Sequence, residues 1–368
     1  MKQRKKILLI SSEFPPQPGG IGQHAYDLAH HLALTEQVTV LADQRSAKGI
    51  EEKEFDNQQN FEIKRTPRYT ILLFTYLQRL IIALQLTGKN DMVLVSGKFS
   101  LWQGGLIRLL KHKPIIAIIH GTEVLLANTY FKKLTDRCLQ SFDHVIAVSN
   151  YTLGLVDHLG LKNTSVIPNG IRLDHQLSQK AQASQEVQLI TVGNLTQRKG
   201  QHNVIRALPR LVEKYPTLKY HCVGIPTDKE QLIQLADQLK VRKHLVFHGR
   251  VSNEEKERLL QQSDIFMMLS ERTDSGDVEG FGIAILEANQ MGKPAVGSKN
   301  SGIEDAIKDG YSGCLVEPHE PEAVVQAVDK ILKDYELYSI QSIQWVKDFD
   351  WKNIVSHYKK VIDGLNEK

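Results

Sequence analysis

KILLISSEFPPQPGGIGQH, Lys6 to His24, holds three things in order: an apolar run, a loop rich in proline and glycine, and the start of a helix. Residues 5–11 read as a buried strand, and the helix runs from about His24 to Ala33. Strand, glycine-rich loop and helix make the βα unit of a nucleotide-binding α/β fold. The spacing does not fit GxGxxG, so the dinucleotide fingerprint is absent. Gly19, Gly20 and Gly22 still permit a tight loop whose N–H groups face a ligand, although a plain turn would leave the same pattern.

The same rhythm continues. Val38–Ala42, Met92–Ser96, Ile115–Ile119 and Val145–Val148 read as strands, and Ser149 as a helix cap. The third of these ends at His120-Gly121-Thr122-Glu123, the carboxyl end of a parallel strand, where such sheets bind ligands. Residues 43–66 are polar and read as loop or edge strand. Residues 69–86 are strongly apolar, with Ile71, Phe74, Leu77 and Ile81 at helical spacing. This helix reads as core more than as membrane-bound. Residues 175–186 are uniformly polar and read as a linker, after which the pattern restarts. Val187–Val192, Tyr220–Val223, Leu245–Phe247, Ile265–Leu269 and Pro294–Gly297 are the strands of a second half. A final amphipathic helix is expected over 345–366, carrying Trp345, Phe349 and Trp351.

In that second half EGFGIAILE, Glu279 to Glu287, opens a helix directly after a loop. Gly280 and Gly282 let the backbone approach a ligand, and Gly292 with Pro294 stops the helix. The N–H groups of Phe281, Gly282 and Ile283 lie at a helix N-terminus, which favours an anion and above all phosphate. At ~1.5 Å per residue, Glu279 and Glu287 serve opposite ends of a ligand roughly 10 Å long. Two acids that grip hydroxyls on either side of a phosphate seat outline a nucleotide-sugar site. Two surface acids on an ordinary helix would share the spacing.

Bulk composition sets the limits. The chain has 368 residues, enough for two domains, with 24% charged and 41% hydrophobic residues. A net charge of +4 and no basic-aromatic stripe argue against nucleic acid. Residues 1–175 carry 21 basic against 15 acidic side chains, so the first half is the one suited to an anionic surface. Cys138, Cys222 and Cys314 are odd in number and widely spaced, which suits a reducing cytoplasm and gives neither a disulfide framework nor a metal pattern. The start MKQRKKILLI has the charge of a signal peptide, but its apolar run is short and Pro15 and Pro16 follow, so it reads as a strand. No run of ~18 apolar residues spans a membrane.

Seven segments carry a resemblance: PPQPGGIG (15–22), HGTE (120–123), VIAVSN (145–150), VIPNGI (166–171), VGNLTQRKG (192–200), the pair Glu279 and Glu287, and DGYSG (309–313). In this order and spacing they resemble the family-4 retaining glycosyltransferases of the GT-B fold. DVEGFGIAILEA, at 277–288, is most similar to mannosyltransferases acting on inositol lipids. The resemblance implies an α/β protein with two Rossmann-like domains facing across a cleft. Residues 1–175, completed by a C-terminal helix at about 350–368, would bind the acceptor, and 186–345 the nucleotide-sugar donor. It also implies roles. Glu279 would bind the hydroxyls of the donor sugar, Glu287 the ribose and Lys199 the diphosphate. Gly20 would border the diphosphate through its backbone, and His120 would sit beside the transferring sugar. Arg250 and Val251 would border the base.

Two positions depart from the family. Asn194 stands where an Arg is usual, which leaves Arg198 to supply part of the charge, and Ser301-Gly302 replaces a Gly-Gly pair. The expected reaction moves a hexose from a GDP- or UDP-sugar to a lipid-linked or polysaccharide acceptor. It needs no cofactor and no metal, because Arg198, Lys199 and the helix terminus at Gly282 meet the charge on the leaving diphosphate. Asp348-Phe349-Asp350 spells a metal-binding DxD, but it is remote in sequence from the site segments and is not read as one. With no spare carboxylate in a site motif beyond Glu123 and Asp277, same-face displacement is preferred to a covalent intermediate. A sugar-nucleotide epimerase, or an inert sugar-nucleotide-binding module permitted by Asn194, would share the fold. The enzyme is expected in the cytoplasm, with peripheral contact at the anionic inner membrane face.

Overall fold

The computed structural model describes residues 4–173 and 186–365. All but the last residue of the expected linker therefore lies outside the described residues. The chain divides into two compact units, Met1–Gly170 with Trp351–Lys368, and Ile171–Asp350.

Unit 1 contains β1 (Lys6–Ser11), α1 (Gly20–Leu32), β2 (Gln37–Asp43), α2 (Ile50–Asp56), β3 (Glu62–Thr66), α3 (Leu72–Lys89), β4 (Met92–Ser96), α4 (Lys98–Leu110), β5 (Ile115–Ile119), α5 (Thr129–Ser141), β6 (His144–Ala147), α6 (Asn150–Gly154) and β7 (Thr164–Val166). Unit 2 contains β8 (Gln188–Val192), α7 (Gln201–Lys214), β9 (Lys219–Val223), α8 (Lys229–Gln238), β10 (Leu245–Gly249), α9 (Asn253–Gln262), β11 (Ile265–Met268), α10 (Ile283–Gln290), β12 (Ala295–Ser298), β13 (Gly313–Val316), α11 (Pro321–Lys333) and α12 (Tyr335–Val346). The last helix, α13 (Trp351–Gly364), belongs to unit 1.

Both sheets are parallel. Their orders are β3-β2-β1-β4-β5-β6-β7 and β10-β9-β8-β11-β12-β13. A parallel sheet with helices on both faces buries its strands on both sides, which is why β1, β4 and β5 read as unbroken apolar runs. The order reverses direction between β1 and β4 in the first sheet and between β8 and β11 in the second. The loops leaving those four strands diverge there and open a crevice at the carboxyl ends.

Three expectations change. Residues 50–56 form α2 within the stretch read as loop or edge strand. The apolar stripe of residues 69–86 is helical, but Ile71, Phe74, Leu77 and Ile81 face solvent. The buried side of α3 is instead Thr75, Arg79, Ala83 and Leu86, four residues or so apart. Arg79 is held there by Asp43 Oδ1, by Gln103 Oε1 at 2.9 Å and by the carbonyl of Ser11 at 2.7 Å. Finally, 345–366 is not one helix. It breaks over Lys347–Asp350, where Trp345 ends in unit 2 on the carbonyl of Ala306 (3.0 Å), and Trp351 stacks on His31 in unit 1, ring centroids 5.5 Å apart.

Candidate active site

The second sheet's crevice is built from the loops after β8 and β11. After β8 the chain passes Gly193 and Asn194 into a tight turn over Gln197–Lys199. Gly200 then adopts a left-handed conformation (φ 72°), and a Cβ there would lie 1.7 Å from the carbonyl oxygen of Leu269, so only glycine lets the turn press against the end of β11. Ser270 Oγ and the Glu271 N–H both donate to the Arg198 carbonyl. Glu271 in turn accepts from Gln197 Nε2 at 2.9 Å and from Asn203 Nδ2 at 3.1 Å. These bonds fix the backbone from which Arg198 and Lys199 project.

Both cations meet Glu279, at the end of the loop after β11. Lys199 Nζ is 2.7 Å from Glu279 Oε2, Arg198 Nη1 pairs with the same oxygen, and Arg198 Nε lies 3.3 Å from Asp277. Burial alone would raise the Glu279 carboxyl. Lys199 and Arg198, with a hydrogen bond from the Gly282 N–H, hold it below its ordinary value, so it is ionised. The Gly282 N–H, at the N-terminus of α10, is directed towards this carboxylate. Gly282 is left-handed (φ 84°) as the cap of α10, and Phe281 is core, its ring 5.8 Å from that of Phe349. Ile283, the first residue of α10, is half-buried. Gly302, the glycine retained in the Ser301-Gly302 pair, donates to the Glu279 carbonyl at 3.1 Å. A Cβ on it would lie 2.1 Å from the Gly280 oxygen, so this loop also needs its glycine.

Glu287 lies on α10 and pairs with Lys256 of α9 at 2.7 Å. Nothing in the sequence spacing signalled Lys256. Asn194 is exposed, and its carbonyl accepts from Gln201 Nε2 at 3.2 Å. Arg250 and Val251 follow β10, two strands from the switch point, exposed and half-buried respectively.

In unit 1, Gly20 opens α1, exposed, with open space where a Cβ would stand. His120 follows β5, nearly buried. Its Nε2 is 3.0 Å from Ser96 Oγ, and its N–H donates to Glu123. Burial pushes the His120 imidazole down to about 4 and the Glu123 carboxyl up to about 7, Glu13 adding to the latter. His120 is therefore neutral at physiological pH, suited to hydrogen bonding rather than to carrying charge. Among the described residues there is no group of three or more His, Cys, Asp or Glu side chains able to hold a metal ion.

Two parallel α/β units, one with cations and an ionised acid at its switch point, are the parts that a glycosyltransferase of the GT-B fold requires. Residues 18–175 match the family described as Glycosyltransferase Family 4, and residues 174–343 the family described as Glycosyl transferases group 1. The chain belongs to the family-4 glycosyltransferases. It is 26% identical to the GDP-mannose-dependent α-(1-6)-phosphatidylinositol monomannoside mannosyltransferase of Mycolicibacterium smegmatis, covering 98% of this chain and 99% of that one. In fold it is similar to Anabaena HepE in complex with UDP (TM-score 0.80, 18% identity, 98% of this chain and 100% of that one). It is similar too to sucrose-phosphate synthase of Thermosynechococcus elongatus (TM-score 0.81, 18% identity, 99% and 100%).

Proposed function

We propose that the protein transfers a hexose from a GDP- or UDP-sugar to a lipid-linked or polysaccharide acceptor, with retention of configuration. The observation that supports this is the junction of Arg198, Lys199 and Glu279 at the β8/β11 switch point. A nucleoside diphosphate gains negative charge as the sugar C1–O bond breaks. Two cations held rigidly by the turn after β8 stabilise that charge without reorganising, and need no metal ion to do so. Glu279, ionised between them, accepts hydrogen bonds from sugar hydroxyls. On the same face the acceptor oxygen bonds to C1 while its proton passes to the departing phosphate oxygen, which balances the reaction without a protein nucleophile. Glu287 holds the ribose, and Arg250 with Val251 the base. Gly20 gives the diphosphate close approach to backbone, and neutral His120 hydrogen-bonds the moving sugar.

The relative acting on a phosphatidylinositol mannoside supports a mannosyl donor and a lipid acceptor. Among the described residues no helix is long and apolar enough to cross a membrane. Contact is proposed to be peripheral, at the cytoplasmic face, through the exposed apolar side of α3 and the basic residues of unit 1. The test is turnover with a panel of GDP- and UDP-hexoses, with and without acceptor. Glu279→Gln should lower kcat about 100-fold with donor affinity little changed, and Glu287→Gln should mainly raise the donor KM. Product formed without an acceptor would make the protein an epimerase, and donor binding with no product would make it an inert binding module.

A further inference from the structure

Unit 1 has its own switch-point crevice, a cavity of about 360 Å³. Arg45, Arg68 and Lys98 reach it from three different segments: the loop after β2, the loop after β3 and the first residue of α4. Among the described residues none of the three forms an ion pair with a carboxylate. Arg45 gives one donor to the Ser12 carbonyl at 3.0 Å, and Lys98 Nζ lies over the Trp102 and Phe99 rings at 5.5 and 5.8 Å. The acids lining the cavity offset little of this. Asp43 is taken by Arg79, and buried Glu123 keeps its proton up to about pH 7. Glu13, and Glu123 in part, stand against the three cations, so the cavity favours an anion, and the N-terminus of 13-residue α4 adds to that. Glu123, 3% exposed, also has an Oε2 without a hydrogen-bond partner, a buried polar atom that a ligand hydroxyl would satisfy.

A second cavity, about 240 Å³, adjoins the first and shares Tyr76 and Phe99 with it. Leu73, Leu77, Leu80, Trp102, Gln103 and Leu106 complete it, so its wall is hydrocarbon and aromatic ring apart from the Gln103 amide, whose Oε1 accepts from Arg79 at 2.9 Å. Two of its lining residues, Leu73 and Leu77, are 62% and 48% exposed, so it opens to solvent. A ligand that fills both cavities is anionic and hydroxylated at one end and hydrocarbon at the other.

The geometry points to a phosphate-bearing membrane lipid as the acceptor, its phosphate among Arg45, Arg68 and Lys98, a headgroup hydroxyl at Glu123, and its chain along the groove between α3 and α4. The word acceptor rests on the glycosyl-transfer reading; the site itself does not.

The intact protein is titrated with monomeric dihexanoyl phosphatidylglycerol, dihexanoyl phosphatidylcholine and glycerol phosphate, binding being read from tryptophan fluorescence. Thermal stabilisation by GDP- and UDP-sugars is measured in parallel. Saturable binding of the phosphatidylglycerol, about tenfold tighter than either comparison compound, is expected. Arg68→Ala, an exposed position, should weaken it about tenfold, and Leu77→Asp should remove it, both with donor stabilisation unchanged. Equal binding of the zwitterionic lipid, equal binding of glycerol phosphate, or a silent Arg68→Ala overturns the proposal. So does a dimer in sedimentation that persists with lipid and hides the groove. Donor stabilisation without lipid binding overturns this inference alone. Lipid binding without donor stabilisation overturns the transfer reading and leaves the lipid site standing.

Discussion

Each unit places an arginine against a carboxylate beside its switch point, yet the two arginines do opposite things. Arg79 in unit 1 is 2% exposed and spends its donors on Asp43, Gln103 and the Ser11 carbonyl, all within the fold. Arg198 in unit 2 keeps a quarter of its side chain exposed and shares Glu279 with Lys199. A buried cation whose donors are consumed internally is a structural element. One that shares a single carboxylate with a second cation, at the mouth of a crevice, retains capacity for a ligand. Unit 1's ligand-directed charge lies instead on Arg45, Arg68 and Lys98.

The sharpest way to break this comparison is to remove each arginine. Arg79→Ala leaves Asp43 without its partner, and should cost about 3–5 kcal/mol of stability in denaturant melts. A loss of activity without a loss of stability would make Arg79 part of the chemistry. Arg198→Ala should do the reverse. It should cost about 2–4 kcal/mol of transition-state stabilisation, read from kcat/KM, with a smaller change in melting. If it is silent, Lys199 carries the diphosphate alone. Asn194→Arg should then tighten donor binding only if the cation normally at that position has no substitute.

A third prediction concerns pH. The folded protein holds the Glu123 proton up to about 7, whereas the unfolded chain loses it near 4.5. This group therefore favours folding at low pH and costs stability as pH rises through that range. His120 works the other way. Its folded value of about 4 lies below 6.5, so stability falls as pH drops from 6.5 towards 4. Glu123→Gln removes only the first effect. Relative to the wild type, the variant should gain on the order of 2–3 kcal/mol between about pH 5 and pH 8. A difference that does not change with pH would mean that Glu123 is already ionised in the fold.

The smallest effect is expected at Lys256–Glu287, whose side chains are 22% and 27% exposed. Lys256→Ala should change stability by about 0–1 kcal/mol in thermal melts. A larger loss would make Glu287 a packing residue rather than one reserved for a ligand.

Much of this was legible in the sequence. Buried parallel strands are apolar runs, and glycines mark where a loop leaves a strand, so β1, β4, β5, β8 and β11 could be placed from composition alone. The site segments announced themselves because they combine charge with glycine at strand ends. What stayed hidden depends on direction. Periodicity in residues 69–86 identified a helix but not which side faces inward, and the more polar side, with Arg79, is the buried one. Nor does periodicity show that Gly282 turns its N–H back to Glu279, or that a helix pattern over 345–366 is interrupted by four residues. Glu271, which fixes the turn carrying Arg198, sits in an irregular loop and carries no pattern at all.

The interruption at Lys347–Asp350 has a consequence for the way the gene could be cut. The chain leaves unit 1 at Gly170 and re-enters it at Trp351, so unit 2 is an insertion within unit 1. The two edges of the gap adjoin. A Cβ on Gly170 would stand 2.6 Å from the Trp351 ring, and within unit 2 the Ile171 N–H donates to the Phe349 carbonyl at 2.8 Å. A short glycine bridge from Gly170 to Trp351 should therefore close unit 1 without strain, and 171–350 should be separable with its own ends already paired. Lipid and donor recognition could then be assigned to separate polypeptides.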